Sequence, residues 1–243
     1  MMPTPTALAE LATHREITSD RVGYAATPSA SYAAYRRVVD GATRDDVLAL
    51  LLSPHAVIRG YMARHVIEHW PDDARALYPL LSDGAQIVTM EGCTVSETTL
   101  ARFVFYRLAR VTDRSSAAMQ VYLDATVDPS IGAFRARGLG LLLQRDPETA
   151  RAQAILHVRA AIDEGALWFG LQTLQVLARL EDVPLLAIVA DHPERKFRNL
   201  LCEPAARLAR TCEEARALLD RLRADPVPHV RQLAEDAARR HLG

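Results

Sequence analysis

The stretch Asp225-Pro226-Val227-Pro228-His229-Val230-Arg231 leads into the last helical segment of this chain and guides the interpretation of the rest. Aspartate followed by proline is typical of a turn that opens a helix, because the first helical turn does not need the N–H that proline lacks. The apolar residues that follow recur every three or four positions, which predicts an amphipathic helix with one buried side. The predicted buried stripe consists of Val227, Val230, Ala234, Ala237 and His241.

The same turn pattern occurs earlier in the chain. Ser53–Arg59 repeats it in the same register, with Ile58 directly before the arginine. Looser copies occur at His192–Arg198 and Pro129–Arg135, where phenylalanine precedes the arginine. The spacing of these turns gives a period of roughly 32–38 residues, which is typical of a repeated helical hairpin.

The composition narrows the class of protein. The chain has 243 residues, of which 49% are hydrophobic and 24% charged, as in an ordinary globular protein. Its 29 basic and 30 acidic residues give a net charge of −1, which disfavours a strongly basic nucleic-acid-binding protein. The three cysteines have no C-x-x-C spacing, so they predict neither a disulfide framework nor structural zinc. Met1–Thr6 has no leader pattern and no apolar stretch approaches the roughly 20 residues of a membrane helix, so we expect a cytoplasmic protein without membrane contact.

Nearly every segment has the periodicity of an amphipathic helix, and strand alternation is almost absent. Thr43 with Asp46, and Thr211 with Glu214, have the spacing of capping boxes at helix starts. We therefore predict an all-α fold with a single domain over residues 1–243 and an irregular N-terminal part over 1–42. The predicted helices span residues 4–14, 28–39, 43–52, 54–69, 72–82, 96–111, 114–126, 129–145, 147–163, 165–180, 182–190, 193–210, 212–224 and 226–241.

Residues 83–95 interrupt the helical pattern and contain two glycines. A long connection of this kind is either a functional loop or an insertion that fills a seam between helices. Cys93 lies in this loop beside Gly92, where a thiol near a helix start would be reactive. The alternative, which we favour, is a small buried hydrophobic residue. Residues 15–27 form a second irregular stretch.

The D-P-x-x-x-V-R turn at Asp225–Arg231, with its relatives at Ser53–Arg59 and Asp191–Arg198, resembles the HEAT-repeat family of α-solenoids. The resemblance implies a right-handed α-solenoid of about six helical hairpins, in which the turn joins the two helices of each repeat. Gly23–Cys93 is also similar to a set of bacterial HEAT-repeat proteins. The resemblance further implies ladders of turn arginines and turn aspartates along the stack. The predicted ladder residues are Arg59, Arg135, Arg198 and Arg231 with Asp128, Asp191 and Asp225.

Stacked hairpins create an extended groove, which favours binding of another protein without catalysis. By resemblance, the second helix of each hairpin lines that groove. We therefore predict a non-catalytic interaction or scaffold module that uses no cofactor, with the 86–93 loop beside its groove. The candidate binding residues are Arg64, Glu68, Arg102, Tyr106, Arg135, Trp168, Gln172 and Arg198.

Two enzymatic alternatives stay open. The segment from His65 through Glu68 to His69 matches H-x-x-E-H, in which two histidines bind zinc and a glutamate activates water. Helical geometry places both histidines on the packing face and Glu68 outside it, and Trp70 with Pro71 ends the helix at once, so packed histidines are the favoured interpretation. The second alternative is a HEAT-like DNA-binding protein or DNA glycosylase that uses its arginine clusters for phosphate. The sequence identifies no catalytic acid for it.

Overall fold

The computed structural model describes residues 5–160 and 163–243. The predicted helix start at residue 4, residues 161–162 of the helix predicted over 147–163, and the first residues of Met1–Thr6 lie outside the described residues. The chain divides into two compact units, an N-terminal unit that ends at Ile131 and a C-terminal unit that begins at Gly132. A single domain over 1–243 stays a prediction. Within the described ranges, no helix is both long and apolar enough to cross a lipid bilayer.

The N-terminal unit combines helices with a β-sheet. Its elements in chain order are α1 (Pro5–Thr13), β1 (Glu16–Val22), β2 (Thr27–Pro28), α2 (Ala30–Val39), α3 (Arg44–Leu50), α4 (Ala56–His69), a 3₁₀ helix (Pro71–Ser82), β3 (Gln86–Gly92), β4 (Thr94–Thr99), α5 (Leu100–Leu108) and α6 (Ala117–Val127). Both segments that were expected to be irregular, 15–27 and 83–95, contain strands of this sheet.

The sheet has four strands in the order β2-β1-β3-β4. β1 and β3 are parallel, while β2 and β4 each pair antiparallel with a neighbour. β3 and β4 form a hairpin with six consecutive residue pairs, from Gln86 opposite Thr99 to Glu91 opposite Thr94. The predicted all-α solenoid is therefore wrong, although most described residues are helical. The helix predicted over 96–111 begins only at Leu100, because the preceding residues belong to β4.

The strand residues have the local chemistry of a hairpin. β3 contains Ile87, Val88 and Thr89 in succession, and β-branched side chains pack well on a pleated surface. The strand ends at Gly92, whose φ of 57° lies in the left-handed region that glycine adopts without a steric penalty. The chain then reverses and forms β4.

Helix α4 packs closely on β1 in the core of this unit. A Cβ atom at Gly60 would lie 2.1 Å from the Cδ1 atom of Ile17, so only glycine allows this approach. The next residue of α4, Tyr61, is buried, and its hydroxyl accepts a hydrogen bond from the Thr18 backbone N–H at 2.8 Å. The Ser31 hydroxyl lies 2.8 Å from the same oxygen. These contacts fix the sheet against the helical layer.

The C-terminal unit is helical throughout its described residues. Its elements in chain order are a 3₁₀ helix (Ala133–Gly138), α7 (Leu139–Arg145), α8 (Pro147–Ala160), α9 (Glu164–Leu177), a 3₁₀ helix (Leu180–Asp182), α10 (Val183–Val189), α11 (Arg195–Asn199), α12 (Cys202–Leu208), α13 (Glu213–Arg223) and α14 (Pro228–Leu242).

Three copies of the repeated turn each contain the same type of hydrogen bond. In each copy, the arginine side chain donates to the backbone carbonyl six residues before it and closes the turn. The pairs are Arg59 with Ser53 (2.6 Å), Arg198 with His192 (2.6 Å) and Arg231 with Asp225 (2.7 Å). The sequence pattern therefore marks a real structural unit in both parts of the chain.

The predicted arginine–aspartate ladder is only partly present. Arg198 pairs with Asp225 at 2.7 Å, as predicted. Arg59 pairs instead with Asp83, also at 2.7 Å. Asp128 accepts a hydrogen bond from the Tyr78 hydroxyl. The aspartates of the turns therefore accept hydrogen bonds from different donors, which local packing places near them.

The structure confirms one of the two predicted capping boxes. Thr43 and Asp46 form the predicted capping box at α3. The capping box predicted at Thr211 is wrong, because α13 begins two residues later with Cys212 at its N-cap.

Candidate functional site

A polar cleft in the N-terminal unit is the strongest candidate for a binding site. It lies between helix α5 and the β3–β4 hairpin and has a volume of about 530 Å³. Its lining residues are Thr89, Glu91, Thr94, Ser96, Glu97, Thr98, Arg102, Phe103, Tyr106, Arg107 and Arg110. Three of these side chains are arginines and two are glutamates, and most of the others carry hydroxyl groups.

The helical wall of the cleft follows from the two faces of α5. One face is apolar and buried, with Leu100, Val104 and Leu108 fully covered. On the other face, Arg102 and Tyr106 stand one turn apart, so they lie side by side on the helix surface. Sequence periodicity therefore explains why the polar side chains of α5 face one cleft.

The strand wall of the cleft follows from the register of the hairpin. Thr89 pairs with Ser96 and Glu91 pairs with Thr94, so these four side chains share one face of the sheet. Thr98 belongs to the same face by alternation along β4. This face supplies hydroxyl groups opposite the arginines of α5.

A chain of alternating charges extends from α4 into the cleft. The Arg64 Nε donates to the Glu68 carboxylate at 2.8 Å, and an Arg107 nitrogen lies 3.6 Å from the same carboxylate. Arg107 also pairs with Glu91, and Arg110 donates to the other oxygen of Glu91 at 2.9 Å. Three arginines thus surround two carboxylates.

Burial and charge act together on this chain. Burial lowers the pKa of Arg107. The like charges of Arg64 and Arg110 lower it further, while the opposite charge of Glu91 raises it. Burial also opposes ionisation of Glu91, but the hydrogen bond from Arg110 and the charge of Arg107 outweigh it and lower the pKa of that carboxyl. The three arginines of this chain of charges outnumber its two carboxylates, so its formal surplus charge is positive.

Arg102 differs from the other cleft arginines because it forms no ion pair with any described residue. Its Nε donates to the Tyr106 hydroxyl at 3.1 Å, and its guanidinium lies over the Tyr106 ring, 5.2 Å from the centroid. The side chain is exposed. A planar guanidinium held in this way is suited to bind a carboxylate or phosphate through two parallel hydrogen bonds.

The structure brings together the predicted binding residues of the N-terminal unit. Arg102 and Tyr106 line the cleft, and Arg64 and Glu68 join it through Arg107. The predicted 86–93 loop supplies the strand wall as β3. Sequence reasoning missed the contributions of the threonines and Ser96 of β4, because the sequence of this strand does not alternate between apolar and polar residues.

The predicted binding residues of the C-terminal unit have more varied surroundings. Arg198 is buried and paired with Asp225, and Arg135 is also buried. Trp168 and Gln172 lie one turn apart on α9, where the Trp168 ring packs against Phe197 at 6.4 Å between centroids. The principal clefts of the described residues are lined by other side chains, and these four residues share none of them.

The H-x-x-E-H segment is part of the packing of α4. The Nδ1 atom of His65 lies 2.8 Å from the Tyr35 hydroxyl, and its ring packs against His69 and Trp70. Glu68 instead turns towards Arg64 and Arg107. Among residues 5–160 and 163–243, no three histidine, cysteine, aspartate or glutamate side chains converge as metal ligands would. The glutamate and the histidines therefore do not form one site.

Cys93 is exposed at the hairpin turn and does not occupy the core. The interpretation of Cys93 as a small buried residue is therefore wrong. The reason is the hairpin itself, because its turn projects from the end of the sheet.

No protein-family model matches this chain. Searches among curated proteins and among solved structures also gave no match.

Proposed function

We propose that the N-terminal unit is a non-catalytic binding module for another protein, and that the cleft beside α5 holds an acidic stretch of that partner. The observation that carries the proposal is the convergence of Arg102, Arg107 and Arg110 on one cleft whose opposite wall carries hydroxyl groups. Two of these arginines share a single carboxylate, and the third has no acidic partner among the described residues. An incoming carboxylate would complete the arrangement.

Two features favour binding over catalysis. Burial lowers the pKa of His65 and of His157 and so favours their neutral forms, and neither histidine lines the cleft. Among the acidic residues of the cleft, the hydrogen bond from Arg110 and the charge of Arg107 lower the pKa of Glu91 against the effect of burial, which favours its carboxylate form. A general acid or base needs a pKa near the working pH, so this cleft has the chemistry of recognition.

The number and sign of the charges favour a protein partner over a nucleic acid. The cleft contains Glu91 and Glu97 beside its three arginines, and the whole chain has a net charge of −1. A continuous phosphate backbone favours a larger surplus of positive charge. A short acidic peptide segment needs only two or three arginines. The DNA-binding alternative is kept as an outcome of the test.

We also propose that the repeated turn reflects a relationship to HEAT repeats. The shared arginine-to-carbonyl hydrogen bond of Arg59, Arg198 and Arg231 supports this proposal. We also propose that the protein acts in the cytoplasm, as expected from the sequence.

The test is binding of a fluorescent octaglutamate peptide to the full chain, followed by anisotropy. We expect Arg102→Glu to weaken binding about tenfold or more, because a carboxylate would then face the peptide. The matched control is Arg75→Glu, which reverses the charge of another exposed arginine of the same unit that lines a different cleft. Equal losses in both variants would show that only the overall charge matters, and would contradict the assignment of the cleft.

A DNA duplex is the second arm of this test. Tighter binding of the duplex than of the peptide, with a steep salt dependence that Arg102→Glu removes, would overturn the protein-partner proposal in favour of nucleic-acid binding.

A further inference from the structure

We propose that the partner binds as an additional β-strand along the free edge of β4, with alternate acidic side chains directed into the arginine cleft. This inference rests on the proposed function, because it specifies the conformation and the pattern of the segment that the cleft receives. Edge strands of sheets are recurrent docking sites for extended peptides, since their backbone groups supply affinity and adjacent pockets supply specificity.

The edge of β4 is open and regular. β4 stands at one end of the sheet and, within the described part of the chain, pairs only with β3, through six consecutive residue pairs without a register shift. Proteins usually protect such edges with charged side chains, especially lysine, with proline, or with a bulge. β4 contains no lysine, arginine, proline or bulge, and Glu97 is its one charged residue, whereas the opposite edge strand, β2, has only two residues and includes Pro28.

The phase of the ladder shows which backbone groups are available. The Leu100 N–H donates to the Ala85 carbonyl at 2.9 Å, so the backbone N–H of Leu100 points towards the β3 side of the hairpin. Backbone groups alternate in direction along an antiparallel strand, so the N–H and C=O groups of Thr98 and Ser96 also point towards β3. The N–H and C=O groups of Val95 and Glu97 therefore point away from β3, along the open edge.

The side chains beside this edge define the pattern of the peptide. Thr94, Ser96 and Thr98 share the face of the sheet that borders the arginines. On an added strand, side chains on that face would lie next to the cleft, where carboxylates meet Arg102 and Arg110. The intervening side chains would lie beside Val95, which is 59% exposed and favours apolar β-branched neighbours.

Glu97 does not oppose this arrangement. Although Glu97 is among the residues that line the cleft, alternation along β4 places its side chain on the same face as Val95, two positions away. The acidic side chains of the peptide would occupy the other face. An alternating sequence of glutamate and valine therefore satisfies both faces of the edge.

A second copy of this chain is a less suitable occupant. Antiparallel pairing of two β4 strands would bring two arginine clefts next to each other, and like charges at that distance disfavour association. An acidic peptide instead neutralises the cleft. Charge complementarity thus selects the acidic strand.

The experiment uses the full chain and a fluorescent, acetylated peptide of four glutamate–valine repeats. Val95→Pro removes one outward N–H, and proline is tolerated at such edge positions because that N–H does not join the ladder. We expect Val95→Pro to weaken binding about tenfold, because a ladder hydrogen bond is lost and the approaching strand meets the proline ring. The control Val95→Ala keeps the N–H and should change binding less than about threefold.

The two proposals fail in distinguishable ways. If Arg102→Glu weakens binding and Val95→Pro does not, the cleft binds acidic segments but strand addition is wrong. If neither variant weakens binding, or the peptide does not bind at all, both proposals are wrong.

A second measurement keeps the inference testable if Val95→Pro impairs folding. Amide hydrogen exchange of the unmodified chain, measured by NMR, should slow about tenfold at Val95 and Glu97 when the peptide is added, because both amides gain acceptors. Unchanged exchange at both amides would overturn strand addition. Sedimentation that shows a dimer, dissolved by Val95→Pro and unaffected by the peptide, would assign the edge to a second copy.

Discussion

The Tyr61 hydroxyl oxygen lies 2.8 Å from the backbone nitrogen of Thr18 and accepts its hydrogen bond in the core of the N-terminal unit. This contact joins helix α4 to strand β1 across 43 positions of sequence. Strand β1 in turn supports β3, the strand that carries one wall of the cleft. The geometry of the proposed site thus depends on a buried polar contact outside it.

Replacement of Tyr61 by phenylalanine tests that dependence. Tyr61→Phe leaves the buried N–H of Thr18 without this acceptor, and we expect a loss of about 1–3 kcal/mol in the free energy of unfolding. Urea denaturation followed by circular dichroism measures it. The control is Tyr24→Phe, which removes the hydroxyl of a tyrosine that is 99% exposed and should change stability by less than about 0.5 kcal/mol. Equal effects of the two variants would contradict the structural role of Tyr61.

The buried His65 predicts a pH dependence of stability in the N-terminal unit. Burial lowers its pKa from 6.5 to about 4, and the charges of His69 and Arg36 act in the same direction against Glu68 and Asp40. The unfolded chain therefore binds this proton first as the pH falls, so stability present above pH 6.5 is lost between about pH 6.5 and 4. We expect a loss of about 3 kcal/mol over that range, because each unit of pKa difference corresponds to about 1.4 kcal/mol.

Fluorescence of Trp70, which packs against the His65 ring, reports this transition in a Trp168→Phe background. His65→Gln should flatten the pH dependence of the unfolding free energy. His229→Gln, which replaces an exposed histidine, should leave it unchanged. A slope that persists in His65→Gln would show that another group is responsible.

The buried pair of Arg198 and Asp225 predicts a larger effect in the C-terminal unit. Burial opposes ionisation of Asp225, but the hydrogen bond from Arg198 outweighs it and lowers the pKa of the carboxyl. Because the folded pKa is lowered, the pair stabilises the fold above the ordinary pKa of aspartate, and that stability is lost as the pH falls through the lowered pKa.

Asp225→Asn removes the charge that balances Arg198, and we expect a loss of about 3–5 kcal/mol in the free energy of unfolding at neutral pH. Asp220→Asn is the control, since Asp220 pairs with Arg223 at 3.4 Å on an exposed surface and should contribute less than about 1 kcal/mol. Thermal denaturation at neutral pH compares the variants. A cost for Asp225→Asn no greater than that of Asp220→Asn would contradict the buried pair.

The sequence allowed the helical segments and the repeated turn to be predicted because their signals are local. The turn at Asp225–Arg231 and the stripe of α14 lie within a few residues of each other. The sheet was missed because its pairing is not local, since Glu16 pairs with Val88 across most of the N-terminal unit. β4 also has no apolar face, so alternation of hydrophobicity could not reveal it.

The candidate site shows the same division. Arg102 and Tyr106 were found because their spacing on one helix is visible in the sequence. Their grouping with Ser96 and Glu91 depends on the register of the hairpin, which only the folded chain shows. The segment at 86–93 was recognised as a candidate binding element, but its conformation as a strand was not.

The most direct test of the account is an NMR titration of the arginine side-chain Nε–H signals with the glutamate–valine peptide. We predict that the signals of Arg102, Arg107 and Arg110 shift together and saturate at one equivalent, while those of Arg36 and Arg75 stay in place. Uniform small shifts of all exposed arginines, or shifts confined to the C-terminal unit, would contradict the assignment of the cleft as the binding site.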